Sequence, residues 1–412
     1  MSLSQKTKWR FLIYIIPIPV FFTTRGFFKG SSFDDLFALP VSLIFFIVAF
    51  LADMRFFKTL LIKENLIILI NLIYSFLIFL ITIIFSGSSM NPNLLIISII
   101  PLTISFCVGY SLKPVLLEKN LNKVLDKMVV IFTLFSLAHL LSSFVSLGFI
   151  GSFVNRGEDS IFGLFSIYQK FVYYPTVLAC LFIFSLMSSL RYKYIYSFIL
   201  LINVFMVAAR EAIFICLLGI IFAFILFIKK ESILALGKFI IIAFIISSLV
   251  IYFIDPIKEM LDSAIFLTKI KNLKKSGDIT AGRTGAIHEV FSNSKKDFKL
   301  LIGTGYLMDL GDFRSPHNQY LEILLRSGAL GLAIFVILII KTLCNIVKNV
   351  KLYKNTSMQD CIYGFSFVLF CLILISCNVN VPIRAPYTAI LFGFLCGFFN
   401  NIKLNDDQCQ YI

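Results

Sequence analysis

Long apolar runs constrain what this chain can fold into more than any other feature. Residues 66–85, for example, contain no charged side chain and consist mostly of Ile, Leu and Phe. About 20 such residues cross the hydrocarbon core of a bilayer as a helix, which bonds its backbone polar groups internally. With 59% hydrophobic residues, 14% charged residues and a mean hydropathy of +0.94, the sequence predicts an all-α polytopic membrane protein.

The apolar runs are expected to form about twelve transmembrane helices. This pattern divides the chain into 1–254 with nine of these helices, a loop 255–316 with amphipathic helices, and 317–412 with the last three helices and a tail. The predicted spans lie near residues 10–22, 36–52, 66–85, 94–112, 129–150, 171–190, 195–209, 212–228, 233–254, 317–340, 361–380 and 385–400.

Lysine and arginine collect in alternate short loops, which predicts the orientation of the chain. One such loop holds Lys113, Lys119, Lys123 and Lys127. Because positively charged short loops stay in the cytoplasm, both termini are expected there and the loop 255–316 on the opposite side. These loops also account for most of the net charge of +15, so a nucleic-acid partner is not expected.

The nine cysteines show no metal-ligand spacing, and none lies in the loop 255–316. This pattern disfavours a zinc site and a disulfide framework. Neither a metal nor a cofactor is predicted.

Arg210 and Glu211 interrupt an apolar run, Val204–Cys216. Charges at the centre of a bilayer are costly, so the favoured interpretation is a tight turn between two spans at the outer face. Such a turn would still direct Arg210 toward the outer side.

Arg283 lies between two glycines and just before a predicted helix in the loop. The N–H groups of a helix start favour anions, and the guanidinium fork suits a phosphate. An exposed loop arginine is the alternative. Glu289, in that predicted helix, is either a site residue or part of a solvated face.

His317 follows Ser315-Pro316, a pair expected to cap and begin a helix. His317 and Asn318 are therefore predicted in the first turn. The positive potential of a helix start disfavours an imidazolium, so a neutral His317 could accept a proton. A hydrogen-bonded interfacial histidine is the alternative. Arg326 is expected to face the opposite side of the helix.

The histidine belongs to a longer pattern. His317-Asn318 is followed after nine residues by Gly328 and after two more by Gly331. This spacing resembles the H-N-x9-G-x-x-G signature of the O-antigen polymerase and O-antigen ligase superfamily. Three further positions are similar to features of that family: Gly282-Arg283, Gly303-Thr304-Gly305 and Ala208-Ala209-Arg210.

The resemblance implies an inverting, metal-independent glycosyltransferase of the GT-C type in the bacterial inner membrane, with its active site facing the periplasm. Its donor would be an oligosaccharide on undecaprenyl pyrophosphate, and a chain-length regulator protein could be a partner. Arg210 and Arg283 would clamp the pyrophosphate, and His317 would deprotonate or orient the acceptor hydroxyl. Arg314, Asn318 and Glu289 complete the expected substrate-binding set.

Polymerase is favoured over ligase, since the nearly balanced charge of the loop 255–316 offers no strongly basic platform for a phosphorylated core oligosaccharide. The alternatives are an O-antigen ligase that transfers to the lipid A core, a flippase for lipid-linked oligosaccharides and a structural membrane protein. The long outer segment argues against a flippase, which would be expected to have short loops on both sides.

Overall fold

A computed structural model describes residues 59–86, 99–118, 121–154, 174–207, 210–230, 301, 303, 318–379, 382–384 and 386–402. Every regular element in these ranges is helical. The predicted all-α class is therefore confirmed for the described part of the chain. The predicted spans near 10–22, 36–52 and 233–254 lie outside it, and so does nearly all of the loop 255–316.

A short 3-10 turn, Lys63–Asn65, leads into the first described α-helix. A π-helical turn, Leu372–Ser376, joins the helix Gln359–Cys371 to the short helix Cys377–Val379. A second 3-10 turn, Pro382–Arg384, precedes the last helix. The helices are α1 (Leu66–Ser86), α2 (Ile100–Glu118), α3 (Leu121–Val154), α4 (Tyr174–Met187), α5 (Lys193–Val207), α6 (Arg210–Lys230), α7 (Gln319–Leu352), α8 (Gln359–Cys371), α9 (Cys377–Val379) and α10 (Pro386–Asn400).

Three stretches in the described ranges are long and apolar enough to cross a membrane, namely Lys63–Ile81, Gln319–Leu352 and Gln359–Val379. Shorter apolar helices occur within α4, α5, α6 and α10. Several helices extend well past the predicted spans, because a helix continues wherever its backbone bonds are satisfied and does not stop where hydropathy falls. The total of about twelve spans stays a prediction.

The chain forms two compact units, Met1–Leu125 with Gly282–Ile412 and Asp126–Ala281. In the first unit, α2 and α10 pack backbone against backbone. A Cβ added at Gly397 would overlap the carbonyl oxygen of Phe106, and one added at Gly109 would overlap that of Phe394. Small residues allow such an approach between helices in a membrane.

In the second unit, α4 lies between α5 and α6. Ser185 of α4 is hydrogen-bonded to Ser197 of α5, and Gly219 of α6 faces the side chain of Ile183. Asn203 of α5 donates to the carbonyl of Ser136 in α3 over 3.2 Å. The same small and polar residue types therefore join the helices of both units.

Lys113 corrects the sequence-based assignment of a cytoplasmic loop at this position. It lies inside α2, which runs on to Glu118, and it is only 3% exposed. Its ammonium donates to the side chain of Asn349 and to the carbonyl of Asn401, just after α10. Carbonyls at a helix end are unpaired within the helix and attract cations, so Lys113 stabilises the end of α10.

Among the described residues, amide side chains and aromatic rings surround Lys113. Its ammonium lies 5.6 Å from the ring centre of Tyr353, and burial raises the pKa of Tyr353 to about 12. Asn345 donates to Asn400 over 2.9 Å, and Asn401 donates to the carbonyl of Tyr110 over 2.7 Å. This network joins α2, α7 and α10 at one end of the first unit.

Candidate functional site

Helix α7 begins later than the sequence predicts. Its first residue is Gln319, and Asn318 is the N-cap, with extended backbone angles (φ −145°, ψ 122°). The Oδ1 atom of Asn318 accepts a hydrogen bond from the backbone N–H of Leu321 over 3.1 Å. Asparagine is among the strongest N-caps, so the prediction that Asn318 lies in the first turn of the helix is wrong. His317 and the predicted cap Ser315 lie outside the described residues.

Polar contacts hold the start of α7 against residues 373, 378 and 383. Asn318 donates to the carbonyl of Asn378 over 3.2 Å, and Gln319 accepts from the backbone N–H of Ile383 over 2.9 Å. The hydroxyl of Tyr320 donates to the carbonyl of Ile373 over 3.1 Å, within the π-helical turn. Both ends of the Asn318 amide thus have protein partners, which adds a structural role to the substrate-binding role predicted for it.

A buried ion pair, which the sequence analysis did not predict, lies in the first turns of α7. Arg326 pairs with Glu322 one turn earlier, and each side chain is only 4% exposed. The other carboxylate oxygen of Glu322 is buried without a hydrogen-bond partner. The spacing of four residues in the sequence was a usable signal, because two charges inside an apolar span are most stable when they face each other.

The first glycine of the motif bends α7. Gly328 has φ +67° and ψ −174°, and the helix is kinked there. That backbone conformation favours glycine because a Cβ would be strained. The second glycine of the motif, Gly331, packs against Ser327 of the preceding turn, where an added Cβ would overlap the Ser327 side chain. A Cβ added at Gly331 would lie 3.2 Å from the ring of Tyr74 in α1.

Arg210 lies in the second unit, where it is the first residue of α6. Helix α5 ends at Val207, and the predicted turn between the two helices, residues 208–209, lies outside the described residues. The carboxylate of Glu211 accepts a hydrogen bond from Thr176 of α4 over 3.1 Å. An acidic residue in the first turn is stabilised by the helix dipole, which explains the Arg-Glu order at this start.

The other predicted site residues, His317, Arg283, Arg314 and Glu289, lie outside the described residues. Their roles stay predictions. Among the described side chains, no group of three His, Cys, Asp or Glu is placed to hold a metal ion.

Residues 195–336 match the sequence model of a family described as O-antigen ligase. This stretch is less than half of the chain, and it includes Arg210, Arg283 and the His317-Asn318 pair. The match confirms the resemblance to the O-antigen polymerase and ligase superfamily. No curated protein matches the chain. With its apolar helices, the match supports a membrane-associated, glycosyltransferase-like protein related to lipopolysaccharide.

Proposed function

We propose, from the match of residues 195–336 to the O-antigen ligase family, that this protein is an O-antigen polymerase of the bacterial inner membrane. It joins repeat units carried on undecaprenyl pyrophosphate, at the periplasmic face. The observation that carries the proposal is that one matched stretch contains both the arginines and the His317-Asn318 pair.

The reaction is an inverting glycosyl transfer without a metal. A hydroxyl oxygen of the acceptor repeat unit attacks the anomeric carbon of the donor chain and forms the new glycosidic bond. The bond between that carbon and the pyrophosphate breaks, and the lipid pyrophosphate leaves with the electron pair. His317 accepts the proton of the hydroxyl as a general base.

The arginines Arg210 and Arg283 clamp the leaving pyrophosphate. A guanidinium remains charged and offers two parallel N–H donors to phosphate oxygens. The position of Arg210 at the start of α6 supports this role, because backbone N–H groups at a helix start also favour an anion. Arg314 and Glu289 bind sugar or phosphate groups of the substrate.

The role of general base is assigned to His317 because of its position in the sequence. It directly precedes Asn318, which caps α7. Helix starts carry positive potential and disfavour a positive ring, so a neutral imidazole is available to take a proton. Asn318 contributes by holding the helix start in place through its bonds to Leu321 and Asn378.

The experiment is a deletion strain complemented with wild-type, His317→Ala and Arg283→Lys genes at matched protein levels. The deletion should leave lipopolysaccharide capped with a single repeat unit, and the wild type should restore the ladder. His317→Ala should fail to restore it. Arg283→Lys should be slower by roughly tenfold to a hundredfold, because a lysine keeps the charge but loses the bidentate fork.

His139→Ala is a matched control, since it also removes a histidine but lies within α3, and it should restore the ladder. Bare core together with long polymer stranded on the lipid carrier would contradict polymerase and identify the ligase instead. Full ladders from His317→Ala and from a further variant, Arg283→Ala, which removes the charge altogether, would reject the mechanism.

A further inference from the structure

We propose that the kink of α7 is a junction that positions the catalytic elements, and that Gly303 and Tyr74 are positioning residues for the reaction. The kink junction consists of Tyr74, Gly303, Glu322 and Arg326–Gly328. The inference rests on the proposed function, because it assigns this junction to the reaction of His317 and Arg283.

The first contact joins the end of the loop to the kink. Gly303 has φ +90°, and a Cβ added there would overlap the backbone of Arg326 and of Gly328. The two glycines, 25 positions apart in the sequence, therefore meet backbone to backbone. Only glycine allows both the positive φ and this close approach.

The second contact joins α1 to the same point. The hydroxyl of Tyr74 donates to the carbonyl of Ser327 over 2.8 Å. Ser327 directly precedes the kink at Gly328, so this bond attaches α1 to α7 beside the bend. Ser327 is only 1% exposed, so water cannot replace Tyr74 there at little cost.

The third contact stabilises the part of α7 on the N-terminal side of the kink. The guanidinium of Arg326 pairs with Glu322, and both residues are buried. This pair keeps the turn between Glu322 and Arg326 helical up to the bend, so the backbone carbonyl of Arg326 faces Gly303 in one orientation.

These contacts link two parts of the proposed site. In the sequence, His317 lies nine positions before Arg326, and Arg283 lies twenty positions before Gly303. The junction ties the helix and the loop together at one point. A misplacement of reacting groups by about 1 Å can lower a rate by about a hundredfold, so a disturbed junction should slow catalysis.

The test is a double-mutant cycle with Tyr74→Phe and Gly303→Ala, assayed on lipid-linked repeat units extracted from the deletion strain. Tyr74→Phe removes one hydroxyl and should lower kcat severalfold. Gly303→Ala should lower kcat by about a hundredfold while KM changes by less than about threefold. The double variant should be no slower than Gly303→Ala, because both changes disturb one junction.

Two matched controls keep the test specific. Gly219→Ala puts a methyl group against the side chain of Ile183 in the second unit, and Tyr192→Phe removes a hydroxyl from an exposed tyrosine. Both should retain wild-type kcat. The melting temperature in detergent is a second measurement that does not depend on enzyme activity. The decreases caused by Tyr74→Phe and Gly303→Ala should not add up in the double variant.

The outcomes separate this proposal from the proposed function. Additive effects on both kcat and melting temperature would reject the junction. Non-additive melting temperatures with an unchanged kcat would make the junction merely structural and would reject the positioning role. An active His317→Ala variant would reject the proposed mechanism. The non-additive melting temperatures of Tyr74→Phe and Gly303→Ala would still be expected.

Discussion

At the scale of single residues, the pair of Glu322 and Arg326 should dominate the response of α7 to mutation. Arg326→Met leaves the carboxylate of Glu322 buried and uncompensated, which should lower the free energy of unfolding by about 3–5 kcal/mol. The double change Glu322→Leu with Arg326→Met removes both charges from an apolar span and should be far less destabilising. Thermal unfolding in detergent measures both.

Glu322→Gln is the control for this pair, since it retains an oxygen to accept from Arg326. It should be less destabilising than Arg326→Met. If Arg326→Met unfolds at the wild-type temperature, the two charges do not depend on each other for stability.

At the scale of elements, the contact between α2 and α10 is sensitive to a single methyl group. Gly397→Ala would place a Cβ on the carbonyl of Phe106, and backbone cannot move aside as a side chain can. Overpacking of this kind costs about 1–3 kcal/mol, which should appear as a lower melting temperature of the purified protein.

The matched change is Gly219→Ala, whose added methyl group meets side chains and no backbone among its nearest atoms, chiefly the side chain of Ile183. This side chain can rotate, so the melting temperature should fall less. Equal shifts for the two variants would mean that the backbone contact between α2 and α10 is not tight.

At the scale of the whole molecule, the distribution of lysines predicts which side of the membrane each segment occupies. With Cys344 and Cys409 replaced by serine, Ser276→Cys should react with an impermeant maleimide once the outer membrane is permeabilised. Lys354→Cys, an exposed position after α7, should react only after the inner membrane is broken. The reverse pattern would overturn the orientation and the periplasmic site with it.

Much of the helical pattern was predictable, because hydropathy alone specifies where a backbone must satisfy its own hydrogen bonds. Helix α1 runs over Leu66–Ser86, within one residue of the predicted 66–85. Helix α7 was predicted as 317–340, but it extends to Leu352. Its last turns carry lysines that lower hydropathy without breaking a helix, so the predicted end was wrong.

The start of α7 was misjudged for a local reason. Ser315 and Pro316 are typical of a helix start, but Asn318 is an equally strong cap. The contacts of Asn318 and Gln319 with residues 378 and 383 favour the later start. Two local signals competed, and tertiary contacts with residues 60 and 64 positions away in the sequence favoured one of them.

By itself, the sequence determined the helical class of the described part, the place of apolar helices such as α1, and the resemblance carried by His317, Asn318, Gly328 and Gly331. Periodicity, hydropathy and motif spacing are local properties. Only the tertiary structure decided that Lys113 is buried and that Gly303 contacts the kink at Gly328. Both depend on partners far away in the chain: Lys113 is held by Asn349 and Asn401. In the sequence, a lysine in a loop looks the same as a lysine at a buried helix end, because the carbonyl that accepts its hydrogen bond is brought there only by folding.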